Sequence, residues 1–308
     1  MRIAVDLLGG DHAPAVVVDG ALLACRIDPD LHLLLVGPAG VVEEALGRFP
    51  PVDRARVRTR VAADAVGMGD APARARHDTT VRAVAVAVGD GEADGFVSAG
   101  ASGAVVTAAA LALGRWTRRP ALAATVPSLT GPVVLLDVGA STEPEPSVLI
   151  AHAALGAAYA SVVHRVERPR VGLLSNGAEA GRGDQARLAA AAGLARTPLP
   201  AGARHIGNVE GHDVPLGGPA DVVVTDGFTG NVLLKGIEGA YALAGGRMPT
   251  DTAPRAAALL GVGGVAVVCH GAANGADVAS GIGLAAHLCR IDAIARLAAA
   301  ARNLVEVS

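Results

Sequence analysis

Two stretches of the chain place the same small polar residues at the same spacing, and both could bind an anion. They read ADGFVSAGASGAVV from Ala93 and ADVVVTDGFTGNVL from Ala220, sharing the pattern A-D-x-x-V-[ST]-x-G-x-[ST]-G-x-V. In each, a strand is predicted to end at a glycine turn, after which Ser102 or Thr229 caps the next helix. The N-terminus of such a helix favours phosphate or an oxyanion. Two ordinary βα turns would produce the same pattern, so this alternative stays open.

A single lysine follows the second stretch. The chain contains 26 Lys plus Arg, and Lys235 is the only lysine. A compact ammonium serves where a planar guanidinium does not fit, although chance survival in an arginine-biased sequence explains Lys235 equally well. We predict that the two stretches, with Lys235 just after the second, form a site for phosphate or an oxyanion.

The segment GGDHAP, from Gly9 to Pro14, is a further candidate for binding a ligand. Its two glycines let the backbone approach a ligand, Asp11 can accept or orient, and Pro14 can open a helix. A capped turn explains the segment with equal weight. Because it lacks the G-x-G-x-x-G pattern, it argues against a nicotinamide dehydrogenase.

The pair CH at Cys269 and His270 could suggest a thiol and imidazole acting together. Adjacent residues on a strand point to opposite faces, so we interpret Cys269 as core and His270 as an acid–base or hydrogen-bonding candidate. The sequence contains no metal-ligand spacing and no G-x-S-x-G nucleophile elbow. We therefore predict neither a metal nor a cofactor.

The candidate residues lie at or just past the ends of predicted strands, the edge at which open α/β sheets bind ligands. We expect seven glycine-rich turns to line one crevice there. The candidate catalytic residues are Lys235, His270, Asp226 and Asn231. The candidate substrate-binding residues are Asp6, Gly9, Gly10, Asp11, His12, Ser98, Gly100, Ser102, Gly103, Asp137, Gly139, Ser141, Asn176, Gly177, Gly227, Thr229 and Gly230.

The elements that must position these residues form a repeating strand, turn and helix pattern. Runs such as LHLLLVG, VVLLDVGA, RVGLLSNG and GVAVVCHG are continuously apolar, which is typical of strands buried on both faces. Ala- and Leu-rich helices lie between them. The pattern predicts a doubly wound, mostly parallel α/β sheet. No linker interrupts it, so we predict a single large domain over residues 1–308.

Composition excludes several classes of protein. A net charge of -3, no basic run and 2% aromatic residues argue against nucleic-acid binding. The scattered cysteines Cys25, Cys269 and Cys289 indicate reduced thiols and a cytoplasmic protein. The N-terminal apolar run is too short for a signal peptide, and we expect no apolar run to reach the roughly 18–20 residues of a membrane span.

At these motifs the chain resembles the PlsX family of phosphate acyltransferases. The matches run from residue 1 to about Ala286 and include IAVDLLGGDHAP, EADGFVSAGASGA, RRPALAATVP and ADVVVTDGFTGNVLLKGIEG. The resemblance implies a three-layer α/β/α sandwich, related to phosphotransacetylases and isocitrate or isopropylmalate dehydrogenases. It also implies a homodimer that converts acyl-[acyl carrier protein] and inorganic phosphate to acyl phosphate for phospholipid synthesis. Phosphate needs positioning more than a strong base, so a missing enzyme nucleophile fits this reaction.

The second stretch keeps the family pattern through Asn231, so the resemblance assigns it, with Lys235, to phosphate. The first stretch, which has Ala101 inside its turn, is assigned to the thioester or the oxyanion.

The chain departs from the family pattern at several points. Ala101 and Ser141 stand where the family has Asn, Ala272 stands where it has Ser, and Ser175 to Glu179 replaces its N-I-G-E-E turn. The long amphipathic helical segment that the family has after the position of Tyr241 is shortened here. Since that segment is associated with carrier-protein or membrane contact, its loss argues against peripheral membrane association.

The departures leave other functions open. A non-catalytic or weakly active relative that binds acyl carrier protein or an acyl chain is one, and a phosphotransacetylase-like enzyme using acyl-CoA is another. A specialised acyl-lipid or secondary-metabolite pathway is a third context for the same acyl transfer.

Overall fold

The computed structural model describes residues 1–67, 69–244 and 255–305 as alternating strands and helices. The strands are β1 (Arg2–Asp6), β2 (His32–Gly37), β3 (Val57–Val61), β4 (Gly95–Ser98), β5 (Ala121–Ser128), β6 (Gly131–Leu136), β7 (Arg170–Leu174), β8 (Arg204–Val209), β9 (Val222–Val224), β10 (Ala256–Leu260) and β11 (Val265–Cys269). The α-helices are α1 (Ala15–Ile27), α2 (Ala39–Arg48), α3 (Pro51–Arg54), α4 (Thr80–Gly89), α5 (Ser102–Leu113), α6 (Pro146–His164), α7 (Gln185–Leu194), α8 (Asp213–Leu216), α9 (Gly227–Leu243), α10 (Gly275–Arg290) and α11 (Ala293–Val305), with 3₁₀ turns at Pro72–Arg76 and Pro200–Gly202.

The contacts of the chain divide it into two compact units. Unit 1 comprises Met1–Arg115 and Pro254–Ile294, and unit 2 comprises Trp116–Ala253 and Ala295–Ser308. The sequence did not indicate this division, because consecutive residues with no spacer between them belong to different units. Unit 1 is also assembled from two separated segments, which a search for linkers along the chain does not detect.

In unit 1 the strands lie in the order β3-β2-β1-β4-β11-β10. All neighbours are parallel except β10, which is antiparallel to β11. The residues of β4 and β11 are all buried. Helices on the sheet explain why these strands are continuously apolar, as expected for parallel strands covered on both faces.

In unit 2 the order is β5-β6-β9-β7-β8, and only β5, which pairs with β6, runs antiparallel. The predicted α/β class with a mostly parallel sheet is therefore confirmed. The antiparallel strands β5 and β10 were not predicted. Their apolar Ala-rich sequences resemble those of the parallel strands, and strand direction depends on long-range pairing that periodicity does not report.

The two units repeat one strand order, and this explains the repeated stretch. An antiparallel hairpin lies beside a motif strand in each: β10–β11 beside β4 in unit 1, and β5–β6 beside β9 in unit 2. On its other side the motif strand pairs in parallel with β1 or β7, which pair in turn with β2 or β8. The repeated sequence thus occupies the same topological position twice.

The aspartates of the repeated stretch make the same contact in each unit. Asp94 Oδ2 accepts from the Arg2 N–H at 2.6 Å, and Asp221 Oδ2 accepts from the Arg170 N–H at 2.8 Å. Each aspartate N–H in turn donates to the carbonyl of the same arginine, at 2.8 and 2.9 Å. Both aspartates directly precede their own strands and bind the first residue of the parallel neighbour, β1 or β7.

One helix is longer and more apolar than the sequence analysis expected. Helix α6 has 19 residues and enough hydropathy to cross a membrane by length and composition. However, 61% of its apolar window is buried inside the protein, where Leu149, Leu155 and Tyr159 are almost inaccessible to solvent. Such burial is typical of the core helix of a globular unit, so its length is weak evidence for a membrane span.

Candidate functional site

In unit 1 the turns after β1, β4 and β11 meet at the carboxyl edge of the sheet. The Asp11 N–H donates to the Gly271 carbonyl at 2.8 Å. A Cβ on Gly9 would lie 2.7 Å from Ser98 Oγ, so only glycine lets these turns approach so closely. The structure therefore brings the GGDHAP segment, the first repeated stretch and the residues after Cys269 together, as predicted.

Asp6 and Ser98 form a buried pair beneath these turns. The Ser98 hydroxyl donates to Asp6 Oδ2 at 2.7 Å and accepts from the Gly100 N–H at 3.0 Å. Burial raises the pKa of Asp6, although hydrogen bonds from Thr80 and Ser98 oppose it. Asp6 is 2% exposed and Ser98 1% exposed, so both position the turn from below rather than face solvent.

The other candidates in unit 1 differ in exposure. Asp11 and His12 are exposed, and His270 is half-buried. Cys269 is buried as predicted, and burial raises the pKa of its thiol to about 12, which makes it unreactive. The Cα of Gly103 packs against the 3₁₀ turn, because a Cβ there would lie 2.8 Å from Pro72 Cγ.

The prediction that Ser102 caps α5 is wrong. Ser102 is the first helical residue, and the N-cap is Ala101, whose methyl group cannot accept a hydrogen bond. Neither the Ser102 nor the Gly103 N–H donates to another residue in the described part of the chain. The N-terminus of α5 therefore keeps open N–H groups at the edge of unit 1.

In unit 2 the turn after β6 is built around Asp137. Its carboxylate accepts from four backbone N–H groups, at 3.0, 3.0, 2.9 and 2.6 Å, those of Leu122, Gly139, Ala140 and Ser141. Asp137 is fully buried. Burial raises the pKa of Asp137, whereas His152 and the N–H donors lower it. Because its oxygens are occupied, Asp137 shapes the turn that carries Gly139 and Ser141.

His152, on α6, was missed by the sequence analysis. It is 1% exposed, and burial lowers its pKa although Asp137 opposes the shift. Its Nε2 lies 3.4 Å from the Arg119 carbonyl oxygen, and its Nδ1 has no partner among the described residues. A single histidine in the apolar run VLIAHAALG carries no spacing signal that would have identified it.

The start of α9 packs directly on the Asp137 turn. The Gly227 N–H donates to the Ser141 carbonyl at 2.7 Å. A Cβ on Gly230 would lie 2.0 Å from the Asp137 carbonyl oxygen, and a Cβ on Gly227 would lie 2.8 Å from that of Ser141. The glycines of the second stretch thus serve close packing of a helix against a neighbouring turn.

The prediction that Thr229 caps α9 is also wrong, because Asp226 is the N-cap. Asp226 Oδ1 accepts from the Thr229 N–H at 2.9 Å, and Oδ2 accepts from the Thr229 hydroxyl at 2.8 Å. Burial alone would raise the pKa of Asp226, but the Thr229 N–H and the Arg187 guanidinium outweigh it and hold the pKa below its ordinary value. The α9 N-terminus therefore already holds an anionic group.

Arg187, on α7, is the charged partner that the sequence analysis missed. Its Nη2 donates to Asp226 Oδ2 at 2.7 Å and to Thr225 Oγ1 at 2.9 Å. Its Nε donates to the Leu174 carbonyl at 2.7 Å, and its Nη1 donates to Asp184, the N-cap of α7. The only local signal was the D-x-x-R spacing at the start of an Ala-rich helix.

The remaining polar candidates in unit 2 are more exposed than Asp226 and Arg187. Asn176 is exposed and its Oδ1 accepts from the Gly183 N–H at 3.1 Å, which closes a loop around the buried Gly177. Asn231 is half-buried one turn into α9. Lys235 is exposed, with no ion pair to a described residue, and its Cα lies about 12 Å along α9 from the first helical residue.

Comparison with known proteins decides the family. Residues 1–256 match the family described as "Fatty acid synthesis protein". A phosphate acyltransferase from Anaeromyxobacter sp. (strain K) is 38% identical to the chain, over 99% of this chain and 92% of its own length. One from Desulfitobacterium hafniense (strain DSM 10664 / DCB-2) is 37% identical over 89% of this chain and 90% of its own.

The chain belongs to the phosphate acyltransferase family of fatty acid synthesis.

Solved structures support the fold of this phosphate acyltransferase family member. A branched-chain phosphotransacylase from Enterococcus faecalis V583 gives a TM-score of 0.64 at 14% identity, covering 94% of this chain and 99% of its own. A phosphotransacetylase from Streptococcus pyogenes gives 0.63 at 17% identity, covering 96% and 94%. At such identities the likeness shows a shared α/β fold, as the resemblance implied.

The alignment with the Anaeromyxobacter relative also bears on chain length. It runs over 340 positions, although this chain has 308 residues, so at least 32 positions hold residues that only the relative has. This agrees with a shortened chain. The predicted place of the shortening, after Tyr241, falls largely on residues 245–254, which lie outside the described residues.

Proposed function

We propose that this phosphate acyltransferase transfers a fatty acyl group from the thioester of acyl carrier protein to inorganic phosphate. A phosphate oxygen attacks the thioester carbonyl carbon and forms a tetrahedral oxyanion. The intermediate collapses by breaking the C–S bond, and the departing thiolate takes up a proton. The products are acyl phosphate and the free carrier thiol, with no covalent enzyme intermediate.

The observation that carries this proposal is the 38% identity to a phosphate acyltransferase over 99% of the chain. The site geometry agrees with it, because phosphate is already nucleophilic and needs oriented donors more than a strong base. In unit 1 the open N–H groups of Ser102 and Gly103 suit an oxyanion. That all seven predicted turns line one crevice stays a prediction.

We keep the second repeated stretch and Lys235 as the phosphate-binding candidates, with one refinement. The Gly227 N–H donates to Ser141, and both the N–H and hydroxyl of Thr229 donate to Asp226. The Phe228 N–H is then the first-turn donor of α9 without a partner among the described residues. We therefore assign phosphate to Lys235 and Phe228 N–H rather than to the Thr229 hydroxyl.

The test is an assay of acyl phosphate formation, trapped with hydroxylamine as the hydroxamate. Purified protein is given acyl-[acyl carrier protein] of several chain lengths, with and without phosphate, and acyl-CoA in parallel. We expect phosphate-dependent hydroxamate from the carrier thioester. Equal or better turnover of acyl-CoA would assign a phosphotransacetylase-like activity instead. Carrier binding without turnover of any thioester would replace the enzyme with a binding protein.

We further propose that the protein works as a cytoplasmic homodimer, as the family resemblance implies. Its three cysteines are all free thiols, which fits a reducing compartment. Sedimentation equilibrium at micromolar concentration tests the dimer, for which we expect twice the mass of 30.4 kDa. A monomer at every concentration would contradict it.

A further inference from the structure

Arg187 connects three elements of unit 2 at the edge where the candidate residues lie. Its guanidinium reaches the carbonyl that ends β7, the N-cap of α7 and the N-cap of α9. The partners at α9, Thr225 and Asp226, lie 38 and 39 residues away in the chain. An arginine that joins such distant turns fixes their relative position, because its planar fork leaves little freedom.

The Arg187 side chain is not available to a substrate. It is 8% exposed, and all three of its nitrogens donate to protein acceptors. The Asp226 side chain is 5% exposed, and its two oxygens accept from Arg187 and Thr229. The pair is therefore a buried, hydrogen-bonded ion pair. Removing Arg187 leaves Asp226 buried without its cationic partner, whereas removing Asp226 leaves Arg187 with Asp184 as its ion-pair partner.

The Arg187–Asp226 pair determines the hydrogen bonding of the Thr229 hydroxyl and of the first turn of α9. While Asp226 is ionised it accepts both the N–H and the hydroxyl proton of Thr229. A protonated Asp226 would instead have an O–H to donate and would accept less well. The first turn of α9 would then lose the cap that keeps Phe228 N–H in place.

We propose that Arg187 is a positioning residue for acyl transfer, one that acts through Asp226 to hold the first turn of α9 in its phosphate-binding geometry. This role rests on the proposed function, since phosphate is the ligand whose placement it serves. Arg187 itself touches no substrate. Its effect is to keep Asp226 ionised and its carboxylate oriented towards Thr229.

Several other titratable groups face the pair and belong in the interpretation of any pH profile. Asp184, at the start of α7, shares the Arg187 guanidinium. Asp137, from the turn after β6, lies against Gly227, where a Cβ would be 2.9 Å from its Oδ2. His152, from α6, interacts electrostatically with Asp137. Asp226→Asn identifies the part of a profile that belongs to Asp226.

The experiment compares Arg187→Gln and Arg187→Lys with wild type in acyl phosphate formation, as a function of phosphate concentration and pH. For Arg187→Gln we expect a roughly 100-fold loss in kcat/KM for phosphate, the usual effect of misplacing a reacting group by about 1 Å. In the pH profile of kcat/KM, the fall in activity on the acid side should occur at higher pH in Arg187→Gln than in wild type. Arg187→Lys should recover part of the activity and part of the pH shift, because lysine restores the positive charge but not the planar guanidinium with its several donors.

Arg170→Gln is the matched control. Arg170 also pairs with an aspartate of the second stretch, Asp221, but at the opposite end of β9 and 39% exposed. The Arg170→Gln variant should lower stability without shifting the pH profile of kcat/KM. The double variant Arg187→Gln/Asp226→Asn should be no slower than the slower single variant, since the two residues act as one unit.

Two results would overturn the proposal. One is an Arg187→Gln variant that is folded by circular dichroism and has wild-type phosphate kinetics and pH profile. The other is a double variant whose losses simply multiply. If Arg187→Gln does not fold, Arg187→Lys carries the same comparison.

A readout without activity separates this proposal from the proposed function. Carboxyl ¹³C NMR of wild type, assigned with Asp226→Asn, follows the titration of Asp226 directly. We expect the Asp226 resonance to titrate at higher pH in Arg187→Lys and higher still in Arg187→Gln. Should wild type form no acyl phosphate, the proposed function fails. An unchanged Asp226 titration in both variants would refute the role of Arg187 whatever the activity.

Discussion

Three buried aspartates at strand ends have different partners and hence different roles. Asp6 holds the Ser98 hydroxyl, Asp137 gathers four backbone N–H groups, and Asp226 caps a helix beside Arg187. Burial disfavours a charged carboxylate, so each needs compensating donors. Burial outweighs the hydrogen bonds at Asp6 and raises its pKa, whereas at Asp226 the Thr229 N–H and the Arg187 guanidinium outweigh burial and lower the pKa.

Asp226→Asn should make this difference measurable as stability. At pH 7 we expect a loss of about 3 kcal/mol in the free energy of unfolding, the lower end for a broken buried pair. Arg187 loses its buried partner and keeps Asp184, whose side chain is 48% exposed. A lowered folded-state pKa contributes stability that is complete above the unfolded value of about 3.9 and is lost as pH falls through the folded pKa. In urea unfolding, the difference in free energy of unfolding between wild type and Asp226→Asn should therefore become smaller below about pH 4. A difference that stays constant down to about pH 3 would contradict an ionised Asp226 paired with Arg187.

Lys235→Ala tests the one lysine of the chain. A charge-assisted contact to phosphate is worth about 1.5–3 kcal/mol, so we expect kcat/KM for phosphate to fall roughly 10- to 100-fold. Lys235→Arg keeps the charge and should recover part of the loss. Because Lys235 is exposed and unpaired among the described residues, stability should not change. Unchanged kinetics in Lys235→Ala would remove this residue from phosphate binding.

At the scale of elements, the two repeated stretches start their helices differently. In the aligned sequences Gly227 corresponds to Gly100, yet α9 begins at Gly227 and α5 begins at Ser102, two positions later. Asp226 supplies a carboxylate cap to α9, whereas Ala99 occupies the equivalent position in the first stretch. One substitution in the repeat therefore leaves open N–H groups on α5 and a capped terminus on α9.

Two glycines of α9 provide a matched pair for testing how this helix docks. Gly230→Ala places a Cβ 2.0 Å from a backbone carbonyl oxygen, whereas a Cβ on Gly236 meets nothing within 4 Å. Overpacking should cost Gly230→Ala about 3 kcal/mol, and Gly236→Ala should gain up to about 1 kcal/mol from helix propensity. Thermal unfolding of both variants measures this. Equal stabilities would show that α9 does not pack on the Asp137 turn.

At the scale of the whole molecule, the chain aligns with 92% of the Anaeromyxobacter relative while lacking at least 32 of its positions. In this chain β10 and β11 complete the strand order of unit 1. An insertion or deletion outside the paired strands leaves sheet topology intact.

The shortened chain should bind membranes weakly. We expect this protein to remain in solution when mixed with anionic phospholipid vesicles and centrifuged. The reason is that the segment predicted to be shortened here is the one that the family resemblance associates with membrane contact. The Anaeromyxobacter relative, carrying the additional positions, is the comparison. Cosedimentation of this chain to the same extent as the relative would contradict the expectation.

The sequence by itself determined the fold class, the family and the turns at which polar residues collect. Continuous apolar runs and glycine turns are local patterns, and they predicted the parallel strands and the meeting of the GGDHAP segment with the first stretch. The sequence also identified the repeat, and its shared aspartates proved to make one contact in both units.

Only the tertiary structure decided which helix terminus is capped and which arginine supports it. Both depend on packing between segments that are far apart in the chain, as Arg187 and Asp226 are, and periodicity carries no information about such contacts. The same reason hid the two units and the antiparallel strands. Local spacing reports where a turn forms, but burial and long-range hydrogen bonds determine which of its polar groups stay free for a ligand.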